Sequence, residues 1–241
     1  MANRPDSINI EILQEGVTIK TTKNGVTTLK ETNLEQVQRQ LTSNERIETP
    51  LLPSIWGVQK FVKRGNKELY VITTPPGIRK VQYTGDDRGE YEIPVPAAIW
   101  FVTAQERSGG GRQLIHTTVY AIKNPILTGI EQLYRMPFSN CDNSYICWGD
   151  ESPQISSPKS VQSIPDRFFS MPFNSDLGSN AYQPIKEVVD GREISHFRIN
   201  HLFRYLDRKL KEDKDFRFPN NHLNSYESFK RVLDHELRRL S

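Results

Sequence analysis

The chain has 241 residues, 36% apolar and 10% aromatic, with 32 basic against 29 acidic side chains and a formal charge of +3. That supplies the core of one large domain or two small ones. The near balance of charge argues against a nucleic-acid partner, which would call for a basic stripe, and no apolar run approaches the roughly 18 residues of a membrane-spanning helix.

The opening MANRPDSINI lacks an apolar signal-peptide core, so a cytoplasmic protein is expected. INIEILQEGVTIKTTKNGVTTLKET then alternates apolar and polar residues around KNG. This predicts a β-hairpin with Gly25 at positive φ. NLEQVQRQLTS follows, with Leu34, Val37 and Leu41 at helical spacing and Asn33 as a cap, which predicts a short helix.

The middle reads as a meander. WGVQKFVKRGNKELYVITTPP predicts two strands joined at RGN, and GIRKVQYTGDD continues the pattern. IPVPAAIWFVTAQE and RQLIHTTVYAIK follow on either side of RSGGGR; both are apolar at almost every position, which places them centrally. Residues 124–185 lose periodicity and are rich in Pro, Ser, Asn and Asp. They nevertheless hold Tyr134, Phe138, Trp148, Phe168, Phe169 and Phe173, and linkers are poor in aromatics. An ordered loop region over the sheet is expected, with a short helix near SIPDRFFSM. EISHFRINHLFRYLDRKLKE puts Ile194, Phe197, Leu202, Phe203, Leu206 and Leu210 mainly along one helical face. FPNNHLNSYESFKRVLDHELRRL repeats the device with Leu223, Tyr226, Phe229, Leu233, Leu237 and Leu240 after a break at Pro219. Sheet first and helices last is an α+β order. The expected architecture is an antiparallel β-meander flanked by helices, with an N-terminal β-hairpin extension.

Several chemistries fail on their motifs. SGGGR has no Gly-Lys-Ser/Thr and lies between strands, so it reads as a hairpin tip rather than a phosphate loop. There is no Gly-x-Ser-x-Gly elbow. Cys141 and Cys147 lack the spacing of common zinc sites, and His196 and His201, five apart, do not share a helix face. No metal and no cofactor are expected. A cysteine protease would need a histidine near Cys147; His116 is a candidate without a local signature. A disulfide between the two cysteines would close little chain, and the expected compartment is reducing.

The stretch that remains is LYRMPFSNCDNSYICWGD, which holds both cysteines. It resembles the active-site stretch of ubiquitin-conjugating enzymes, in which a His-Pro-Asn tripeptide precedes a turn and the catalytic cysteine follows a β-branched residue. FNSDLGSN, downstream, is similar to the Pro-Asn-x-Asp-x-x-x-Asn run of those enzymes. IPVPAAIWFV, HTTVYAIK and LYRMPFSN, in that order, resemble the bacterial branch called prokaryotic ubiquitin-conjugating family D, which includes the PRTRC-system protein B group. The resemblance covers roughly residues 50–205. Phe138 and Ser139 stand where the histidine would be, as in that branch. The Asn140-to-Cys147 gap is about one residue tighter than in common eukaryotic enzymes, and Cys141 directly after the Asn is unusual.

The resemblance implies a ubiquitin-conjugating-enzyme-like domain over 50–210, preceded by a hairpin and short helix over 1–49 and followed by a helical extension over 211–241. It implies Cys147 as a thioester carrier and Asn140 as the carboxamide that steadies the oxyanion when a lysine attacks. A thiol taking an already activated acyl group needs no dedicated His base. The rival readings are a Cys147 half-buried under Trp148, and an Asn140 that only closes an Asx-turn. Cys141 is read as a bystander. Asp142 and Asp150 either favour an approaching lysine or solvate the loop. The implied partners are an adenylating activating enzyme, a ubiquitin-like protein with a free C-terminus and further protein subunits, in a bacterial mobile-element or antiviral defence setting. The alternative is a catalytically inactive scaffold in such a complex.

Overall fold

The computed structural model describes residues 7–13, 16–32, 46–49, 51, 58–107, 111–142, 144–149, 152–156, 158–177, 182–196 and 198–240. The chain divides into two compact units, Met1–Arg46 and Ile47–Ser241. The first holds β1 (Ser7–Leu13), β2 (Gly16–Lys23) and β3 (Val26–Thr32), paired antiparallel in that order. Asn24 and Gly25 both take positive φ, 48° and 76°. That is the backbone of a primed two-residue turn, whose twist matches the strands it joins. The opening hairpin thus gains a third strand, while the helix expected over 33–43 lies outside the described residues.

The remaining elements run β4 (Arg46–Glu48), β5 (Val58–Arg64), β6 (Lys67–Thr74), β7 (Gly77–Tyr83), β8 (Gly89–Val95), β9 (Ala97–Glu106) and β10 (Arg112–Ile122). Short strands β11 (Gln132–Arg135), β12 (Cys141–Asp142), β13 (Tyr145–Ile146) and β14 (Gln154–Ile155) follow, then α1 (Ile164–Ser170). The chain ends with β15 (Ile185–Val189), β16 (Arg192–His196), α2 (Ile199–Glu212), β17 (Ser225–Ser228) and α3 (Phe229–Arg239). The class is mixed α+β with mostly antiparallel pairing in the main sheet, ordered β12-β13-β10-β9-β6-β5-β4.

β9 is central, as its unbroken apolar run predicts, because both its faces are covered. Ala98, Trp100, Val102 and Ala104 face one core; Ala97, Ile99 and Phe101 face the other. The first core is closed by α1 and α2 through Phe168, Phe169, Leu202, Phe203 and Leu206, joined by Phe138 and Phe173 from the loops. Phe168 sits edge-on to Trp100 at 5.5 Å and to Phe173 at 5.5 Å. Each fully buried ring stabilises the fold by about 1.5–3 kcal/mol. The second core is closed by Phe229 and Val232 of α3 and by Leu240 just past its end.

Two elements depart from the sequence expectation. β7 and β8 leave the meander and form a separate two-stranded sheet, with Ile78 opposite Pro94. Pro75 and Pro76 precede that hairpin, Pro96 follows it, and Pro94 lies within β8. A proline has no N–H to offer a further strand, which suits strands that stay in a two-stranded ribbon. The helix expected from residue 193 starts at Ile199; Ile194 lies instead on β16, 41% exposed. Asp190 and Gly191 carry φ of 49° and 74° and turn β15 into β16. Likewise Leu223 follows a 3-10 turn and Tyr226 lies on β17, so the last helix begins only at Phe229.

Candidate functional site

The far edge of β10 is covered by three short segments in turn: β14 beside Arg112 and Gln113, β13 beside Thr118, and β11 beside Tyr120 and Ala121. The middle one belongs to the β12–β13 hairpin, which carries both cysteines. Cys141 pairs with Ile146 and Asp142 with Tyr145. Opposite residues of an antiparallel pair share a face, so Cys141 and Ile146 both enter the first core. Cys141 is buried, and burial pushes its thiol well above the ordinary range. Cys147, one residue past Ile146, is exposed. Trp148 packs against the first core beside it, its indole Nε1 buried without a hydrogen-bond partner.

Asn140 is 8% exposed and has φ 66°, a left-handed backbone that Asn tolerates better than most residues. Its carbonyl accepts the Cys147 N–H at 2.9 Å, so the two residues are tied through the backbone. Its side-chain Nδ2 donates to the Pro172 carbonyl at 3.0 Å. A carboxamide nitrogen carries two N–H bonds, and this contact takes one. Residue 173 in turn bridges to β7, with the Phe173 N–H donating to Gln82 O at 2.7 Å and the Thr84 N–H to Phe173 O at 2.8 Å. Asn174 and Asp176 close an Asx-type turn, Asp176 N donating to Asn174 Oδ1 at 3.0 Å. Pro172, the residue directly before the FNSD segment, is thus what holds the Asn140 amide.

Comparison of the chain with protein-family models, curated proteins and solved structures returns no match. The reading of the site rests on its own geometry.

Beneath α3 lies a polar group of which the sequence reading named only His116. Glu236 is 1% exposed; its Oε1 accepts from Thr118 Oγ1 at 3.1 Å and lies 3.6 Å from His116 Nε2. Arg239 Nε stands 3.6 Å from the other carboxylate oxygen. His116 is 9% exposed, and its ring stacks on that of Tyr145 at 4.7 Å. Glu236 falls in register with Phe229, Val232, Leu233, Leu237 and Leu240, all packed in the second core. An acid in mid-stripe was the available signal.

Proposed function

We propose that this chain is a ubiquitin-conjugating-enzyme-like protein that carries the C-terminal acyl group of a ubiquitin-like protein as a thioester on Cys147 and passes it to an amine. The observation that carries this reading is the contrast on one hairpin: the Cys147 thiol is open to a protein-borne acyl group, and its backbone is clamped to Asn140. A thiol suits the task because it both attacks an activated carbonyl and leaves again. The remaining N–H of the Asn140 carboxamide is the donor that would meet the oxyanion. An adenylating enzyme supplies the activated acyl group, and a lysine amine takes it.

Incubation with ATP, an adenylating activating enzyme and a ubiquitin-like protein tests the reading. The predicted result is a thiol-sensitive band shift that Cys147→Ser abolishes. Asn140→Ala should still load but discharge to free lysine about 100-fold more slowly. A charged activating enzyme with no transfer to Cys147 contradicts the carrier role. That outcome favours an inactive scaffold, a reading supported by the commitment of Asn140 Nδ2 to Pro172.

A further inference from the structure

Under α3, Thr103 Oγ1, His116 Nε2 and Glu236 Oε2 are all buried without a hydrogen-bond partner. Buried polar groups are nearly always satisfied, so these three, two on the sheet and one on the helix, call for an explanation. A bulge in β10 creates the group. Leu114 pairs with Ala104 and His116 with Thr103, so Ile115 is the extra residue between them, 42% exposed. Without it His116 would point into the first core with Leu114. With it His116 turns to the face of Thr118 and Glu236. Bulges re-aim side chains in this way beside active sites.

The same face leads to the thiol. β10 and β13 pair with Thr118 opposite Tyr145, and the Val119 N–H donates to Ser144 O at 2.8 Å in the same register. Continued past Ile146, where β13 ends, that register would bring Cys147 opposite His116. Directly opposite residues lie about 5 Å apart at Cβ and share a face. The alternation agrees: Ile146 enters the first core, so its neighbours Tyr145 and Cys147 face the other side, and Tyr145 stacks on His116.

We propose that His116 is the general base for Cys147, with Glu236 as its positioning residue. The proposal rests on the carrier reading above and names the group that moves the proton. His116 Nε2 faces the Glu236 carboxylate, which leaves Nδ1 to act; no hydrogen bond to it is found among the described residues. The thiol proton passes to Nδ1 as sulfur attacks the carbonyl of the incoming thioester. The new S–C bond forms, the old one breaks, and the departing thiolate takes the proton back from His116. Glu236 pairs with the imidazolium in between. The other charged or titratable groups facing this cluster among the described residues include Arg239 of α3, Asp142 and Tyr145 of the hairpin, Tyr120 of β10 and, stacked on it, Tyr226 of β17.

Alkylation by iodoacetamide, followed by peptide mass mapping, tests this without any cargo. A failed loading assay and a failed base are therefore distinguishable. At pH 7, Cys147 is expected to react about tenfold faster than N-acetylcysteine. His116→Gln should remove that excess and Glu236→Gln most of it, while rates at pH 10, where thiols ionise unaided, stay equal. Labelling of the buried Cys141 reports on folding in each variant. If a variant exposes Cys141, the comparison of wild type with N-acetylcysteine still decides. Equal rates at pH 7, or folded variants that react as fast as wild type, overturn the proposal.

Discussion

Cys141 and Cys147 stand on the two arms of one hairpin, yet the alternation of β-strands gives them opposite surroundings. Cys141 shares a face with Ile146 and enters the core; Cys147 is the next residue along and stays exposed. Native protein should therefore take up one equivalent of alkylating reagent, at Cys147, and a second only in denaturant. Comparable labelling of both in native protein contradicts the placement. Cys147→Ser should change stability by less than about 0.5 kcal/mol, as surface substitutions do. Cys141→Ser should cost about 1–3 kcal/mol, because its hydroxyl enters an apolar site. Urea titration measures both. The cysteines were legible in the sequence as a pair in a polar loop, but which one faced solvent depended on strand register. His116 was legible as a strand histidine; the bulge that turns it toward Glu236 was not, since no residue type marks it.

At the scale of elements, α1 shows how seven residues hold a long irregular segment. Phe168 and Phe169 both enter the first core, and Pro165 occupies the first turn, where a missing N–H costs nothing. Phe168→Ala should destabilise the protein by about 3–5 kcal/mol in chemical denaturation; a loss below about 1 kcal/mol contradicts its place against Trp100. α3 is capped by Ser228, whose hydroxyl accepts the Arg231 N–H. Ser228→Ala should cost about 1 kcal/mol by the same measurement. The buried aromatics of 124–185 announced an ordered segment, and the α1 helix lies where SIPDRFFSM predicted it. The β15–β16 hairpin was missed although Val189-Asp190-Gly191-Arg192 carries the Asp-Gly turn signal, because Ile194, Leu202 and Leu206 also fit a helical stripe. Local turn chemistry overrode that periodicity.

Across the whole molecule, the main sheet is pinned by one buried carboxylate. Glu68 on β6 accepts from Arg112 Nε of β10 at 2.7 Å and from the Tyr70 hydroxyl at 2.6 Å, with Lys63 of β5 3.7 Å away. Burial alone would raise its pKa, but the Arg112 and Tyr70 hydrogen bonds and the two cations outweigh that and hold the carboxyl below its usual range. A carboxyl depressed in the folded state stabilises it above the unfolded value and ceases to do so as pH falls through the folded one. Stability should therefore fall as pH drops below about 4.5. Glu68→Gln should flatten that dependence and cost about 3 kcal/mol at pH 7, since Arg112 would lose its partner. Denaturation series at several pH values test the sign.

The α+β class and the central place of β9 were legible because their patterns repeat over many residues. The three-way cover of β10 was not, because segments of two to four residues carry no period of their own. That cover brings the hairpin to the sheet edge and leaves the Cys147 sulfur accessible. Intact-mass measurement after incubation with a thioester of a peptide ending in Gly-Gly asks most directly what that sulfur does. The account predicts one added acyl group, released by hydroxylamine and absent from Cys147→Ser. Wild-type protein that stays unacylated while Cys147 still reacts with iodoacetamide would contradict it.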